Sequence, residues 1–175
     1  MGTLASNRKG YIVGATASEY SASHAVTSGT AYDAASSNVN TATQYFFSTG
    51  RGGGTHRFTR TFIHFDTSGI TGGSSFQLTL TSSAGSNATT YDVIGVLHDA
   101  GSGNGGELDN ADFNNIDRNT AYTSSVHWAS SGTITMSLNA AAAQQIIDED
   151  DFNIALILNH DFAEEEEGPL AESRN

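Results

Sequence analysis

Residues 59–70 read TRTFIHFDTSGI, and the reading of this run decides the fold. Successive side chains of a β-strand point to opposite faces. On that period Ile63 and Phe65 share one face, and Arg60, Phe62 and His64 share the other. Asp66 ends the strand, where its carboxylate can accept backbone N–H groups in an Asx-type turn over Thr67, Ser68 and Gly69. An arginine on a sheet face needs a partner, and a carboxylate would serve. Strand physics accounts for the whole run without a catalytic role.

Working outward, further strand signals recur at intervals. Residues 75–82 alternate, with Phe76, Leu78 and Leu80 to one side and Gln77, Thr79 and Thr81 to the other. Residues 89–99 are apolar on both faces in their middle, which predicts a central strand. In 131–138, Ile134, Met136 and Leu138 point inward. In 151–160, Phe152, Ile154, Leu156 and Leu158 share one face, and Ala155 and Ile157 the other, so this strand is also predicted to be central. Two helical pieces are expected. Asn139 is placed to N-cap AAAAQQIIDE, whose alanines have high helix propensity, and 107–116 can hold one turn capped by Asp109 or Asn110.

Many short strands, few helices and Gly/Ser/Asn turns predict an all-β protein. The expected architecture is an antiparallel jelly-roll-like β-sandwich with one or two short helices. The organisation expected is a single domain. Residues 1–48 form a low-complexity N-terminal arm with the first strand or strands, 49–162 the sandwich core, and 163–175 an acidic tail without strand pattern. Residues 16–43 hold few large aliphatic groups and read as an extended arm or long loops lying over something else.

Composition narrows the function classes. The 175 residues include no cysteine, which excludes disulfides, thiolate catalysis and Cys-based zinc sites. The formal net charge of −12 disfavours nucleic acid and anionic membranes. No run approaches the ~20 apolar residues of a membrane-spanning helix. The apolar run YIV near the N-terminus is shorter than the ~7–15 residues of a signal-peptide core. Gly2 and Ser6 match a myristoylation pattern, and no other feature points to a membrane. The chain therefore reads as an extracellular-type β-protein that either lost a signal or leaves the cell by another route, such as lysis within a virus particle.

The phrase RTFIHFDTSGITG…SFQLTLT resembles a motif of carbohydrate-binding-module-like jelly-roll sandwiches found in secreted bacterial proteins and in phage virion proteins. The matching positions are Arg60, Phe62, Ile63, Phe65, Asp66, Ser68, Ile70, Leu78 and Leu80. The similarity extends through YDVIGVLH, DFNNIDRNTAY and SLNAAAAQQIIDEDDFNIALILNHDF, about residues 56–162. Relatives place a short helix before the last long strand in the same way. They also carry a closing strand near the C-terminus, where this chain runs into AEEEEGPLAESRN. That edge is expected to be short, absent, or supplied by the N-terminal arm or a neighbouring subunit.

Candidate sites follow from residue chemistry. The six histidines, His24, His56, His64, His98, His127 and His160, form no close-spaced ligand motif. His98–Asp99 and His160–Asp161 would converge at one sheet end if their strands were neighbours, but capped strand ends are the favoured reading. No metal or cofactor is assigned. If calcium is held, the candidate ligands are Asp99, Glu107, Asp109 and Asp112 in a Gly-rich loop whose spacing is not that of an EF-hand. Gly101, Gly103 and Gly106 match G-x-G-x-x-G, but the following acids and the lack of a βαβ pattern exclude a dinucleotide site. Tyr122 and Trp128 are the candidate glycan contacts, against core packing of the tryptophan. No catalytic residue is assigned.

The resemblance implies a non-enzymatic structural protein of a phage particle, such as a capsid decoration, head-fibre or tail-associated subunit, located in the virion. Its expected partners are other virion proteins and itself, as a trimer or dimer. The alternative is a carbohydrate-binding module for host-surface or extracellular polysaccharide.

Overall fold

The computed structural model describes residues 3–15, 22, 24–35, 47–48, 56–82, 92–98, 108–127 and 132–163. Its strands are β1 (Arg8–Gly14), β2 (Gly29–Ala35), β3 (Phe47–Ser48), β4 (His56–Arg57), β5 (Thr59–Asp66), β6 (Gln77–Ser82), β7 (Asp92–His98), β8 (Ile116–Ala121), β9 (Val126–His127), β10 (Gly132–Ser137) and β11 (Asp151–Leu158). The helices are α1 (Ala140–Asp148), α2 (Asn159–Ala163) and a 3-10 turn at Asn110–Asn114.

Most strands join one antiparallel sheet in the order β2-β1-β5-β11-β7-β8, with β9 also paired to β7. A second sheet holds β6 and β10, and β3 pairs with β4. The fold is thus all-β and antiparallel, a sandwich of unequal sheets with short helices. The two strands read as central, β7 and β11, are inner strands of the large sheet.

The large sheet is buried on both faces because its inner strands are apolar on both. On one face Ile63, Val93, Phe152, Ile154 and Leu156 meet Leu78, Ile134 and Met136 of the small sheet, together with Ala142 and Ile146 of α1. On the other face Ile12, Phe62, Ile94, Val96, Ala155 and Ile157 pack with Phe58 and Phe113. Val26 and Phe162 close over that second core. The alternation of β5 is the one expected, with Ile63 and Phe65 in the first core and Phe62 in the second.

Local chemistry ends these elements. Asp66 Oδ1 accepts the Ser68 backbone N–H at 3.1 Å and the Ser68 hydroxyl at 2.6 Å. Those bonds, the hydroxyl's first, hold the Asp66 carboxyl below its ordinary value. Asn139 caps α1 by accepting the Ala142 N–H at 3.0 Å, and its own amide donates to Ala121 O at 2.6 Å. Gly95 permits a close approach inside the first core. A Cβ there would lie 2.7 Å from Ile154 Cδ1, and the Gly95 N–H donates to Thr123 Oγ1 at 2.9 Å.

Part of the N-terminal segment departs from its sequence reading. Residues 29–35, read as part of an arm or long loops, form β2, which pairs with β1. β1 in turn pairs with β5 from Arg8↔His64 to Val13↔Thr59. Backbone pairing to β1, itself held by pairing with β5 and by the complete burial of Ile12, anchors residues 29–35. At the other terminus β11 lies between β5 and β7 and runs into α2. The sheet beyond β5 is extended by the N-terminal strands.

Candidate functional site

Among the described residues the main concentration of buried charge lies in the second core. Arg60 points inward from β5 and is fully buried. A buried guanidinium loses hydration worth several kcal/mol and persists only where its donors are met. Here Nε donates to Asp161 Oδ2 and Nη2 to Asp161 Oδ1, both at 2.7 Å. Nη1 donates to the carbonyl of Phe113, and the guanidinium carbon sits 4.0 Å over the Phe113 ring centroid. Asp161, on α2, is 1% exposed. The paired arrangement is the bidentate geometry that makes Arg–carboxylate contacts strong.

Two further groups enclose Asp161. His24 Nε2 lies 2.9 Å from the Asp161 carbonyl and 3.3 Å from its Oδ1. Arg118 of β8 brings Nη1 within 2.8 Å of His24 Nε2 and 3.8 Å of Asp161 Oδ1. The His24 ring also meets Phe58 edge-on at 5.9 Å. The cluster ties the β1–β2 connection, β5, the 3-10 turn, β8 and α2 together. Its chemistry is that of a staple, since the carboxylate oxygens and guanidinium are aimed at each other rather than at a cleft.

The other described histidines are placed separately. His64 of β5 contacts Asn7 Oδ1 through Nδ1. Its Nε2 is 3.0 Å from Asp151 Oδ1, close enough for an ion pair but misaligned for a hydrogen bond. His98 meets the Phe62 ring at 4.6 Å and lies 3.9 Å from Asp112 Oδ1. Exposed His127 lies 3.6 Å from Asp92 Oδ1. Convergence of the two His–Asp pairs is corrected. β7 and β11 are neighbours, but they run antiparallel with Leu97 opposite Ile154 and Val93 opposite Leu158, so His98 and His160 sit at opposite sheet ends. Among the described residues no group of three or more His, Asp or Glu side chains is placed to hold a metal ion.

Two of the calcium candidates have another role. Asp109 accepts the Ala111 N–H at 2.6 Å, and Asp112 Oδ2 accepts the Asp109 N–H at 2.9 Å. They form a reciprocal capping box on the 3-10 turn, so these oxygens are turned onto their own backbone. Asp99 and Glu107 lie outside the described residues, as do the Gly-rich loop at 101–106 and Trp128.

The reading of Tyr122 as a glycan contact is corrected. It is 4% exposed, stacks on Phe152 at 5.7 Å between centroids, and donates its hydroxyl to Gln145 Oε1 at 2.8 Å. Burial first, then the charges of Glu149 and Asp117, push the phenol up to about 12. A ring held in this way has no face for a sugar.

The fold is an all-β antiparallel sandwich, and among the described residues Arg60, Asp161, His24 and Arg118 are engaged with one another in its second core. Comparison of the chain with family models, with curated proteins and with solved structures yields no match.

Proposed function

We propose that this chain is a non-enzymatic structural subunit of a virus particle, as a decoration, fibre or tail-associated protein. The observation that carries the reading is the engagement of Arg60 with Asp161. The one charged side chain of the opening motif that faces a core is bonded bidentately inside the protein, so the motif serves the fold. The sequence resemblance to carbohydrate-binding-module-like sandwiches, which occur in secreted bacterial proteins and in phage virions, suggests the class. The net charge of −12 suits a soluble outer surface. The carbohydrate-binding alternative has less support, because Tyr122 is committed to the core.

The test is a mass-spectrometric inventory of purified particles made from the genome that encodes the chain. Stoichiometric copies are expected, and labelled antibody should mark a regular position on the particle. Absence from purified particles, or polysaccharide or ester hydrolysis abolished by changing one Asp or Glu, overturns the reading.

A further inference from the structure

Charge is unevenly distributed along this chain. Residues 67–91 and 119–147 contain no Asp, Glu, Lys or Arg, so all 7 basic and 19 acidic residues lie elsewhere. The fold brings these two segments together, because the first supplies β6 and the second supplies β10, and β6 and β10 pair with each other. Their inward positions fill the first core. Their outward positions are Gln77, Thr79, Thr81, Thr133, Thr135 and Ser137, and all six are exposed. The register sets Thr79 opposite Thr135 and Thr81 opposite Thr133. The adjoining exposed residues 71–75 are also uncharged. The described residues of this pair thus present an outward face of hydroxyls and one amide, without charge, on an acidic protein.

We propose that the outward face of the β6–β10 pair is a homotypic contact through which two copies of the chain meet. Three physical points select a second copy as the occupant. Bodies carrying −12 each repel, and a charge-free face is where they approach at least cost. Interface centres are depleted of charged residues, which would have to shed their water there. A threonine hydroxyl both donates and accepts, so like groups can bond to like. A basic partner would instead seek the acidic surface elsewhere.

The proposal deepens the assembly reading above by naming the surface for self-contact. Its test uses the purified full chain alone, so its failure is distinct from absence of the chain from particles. Sedimentation equilibrium should show a reversible dimer that tightens as salt is raised, because screening relieves repulsion between the acidic bodies. Thr79→Glu with Thr135→Glu should weaken it on the order of a hundredfold, since like charges would then face each other. The two glutamates are also cross-strand neighbours within each chain and cost some stability, so Thr135→Glu alone, which makes no such pair, should weaken the dimer while the melting midpoint holds. An equimolar mixture of Thr135→Lys and Thr135→Glu chains should pair more tightly than either alone. A wild-type chain monomeric at every concentration and salt, or a dimer that the double glutamate variant leaves equally tight, overturns the proposal.

Discussion

The two faces of the large sheet are closed by different means. On the first, Leu78, Ile134, Met136 and Ile146 meet Ile154 and Leu156 in an apolar contact. On the second, the aliphatic layer of Ile12, Val96 and Ile157 shares its space with the Arg60–Asp161 pair and the nearby His24 and Arg118. Apolar burial is non-directional and scales with area removed from water. A buried ion pair is directional, and it costs desolvation that only good geometry offsets. The first face can therefore tolerate modest repacking, whereas the second specifies where α2, β8 and the 3-10 turn sit.

The sharpest way to break this contrast is to remove one member of the pair. Asp161→Ala leaves Arg60 buried beside Arg118 without its carboxylate. The expected loss is ~3–5 kcal/mol in urea denaturation, the usual cost of an uncompensated buried charge. Replacing both partners, as Arg60→Met with Asp161→Leu, should recover most of that loss. A double variant as unstable as the single one would show that the pair does more than satisfy itself.

On the first face, Leu156→Ala should cost ~2–5 kcal/mol through lost transfer energy and the cavity left behind. An unchanged midpoint would place β11 at the periphery. Gly95→Ala probes the same core by adding volume. Its new Cβ would stand 2.7 Å from Ile154 Cδ1, and overpacking of this kind costs ~1–3 kcal/mol. Pairing it with Ile154→Val should return part of the loss if the clash is the cause.

The smallest expected effect is at alkaline pH. The Tyr122 phenol titrates near 10 when unfolded and at about 12 in the fold. Its folded value is raised, so the associated stability is fully present below pH 10 and is lost as pH rises toward 12. Tyr122→Phe should flatten that part of the stability–pH curve. An identical slope in the variant would assign the alkaline loss to other groups.

Much of the fold was legible from short-range pattern. The period-2 alternation of β5 and β11 sorted their side chains correctly between the two cores, and that of β6 and β10 between the first core and solvent. The Asn139 cap, the Asp66 turn and the Asp109 cap were readable because each acts within three residues. The staple was legible only by half. Arg60 announced its need for a carboxylate, but Asp161 lies 101 residues away, and nothing local chooses it among the acids of this chain. His24 and Arg118 carried no signal at all, since their roles exist only where three elements meet.

By itself, then, the sequence determined which strands have two buried faces, where turns and caps fall, and that a charge on β5 had to be met. These follow from periodicity and from hydrogen bonds that close within a few residues. Tertiary structure alone decided the antiparallel sense that separates His98 from His160, the docking of β1 and β2 on β5, the burial of Tyr122 and the partner of Arg60. Each depends on which distant segments share a face of the sheet, and that is set by the cooperative burial of the whole chain rather than by local preference.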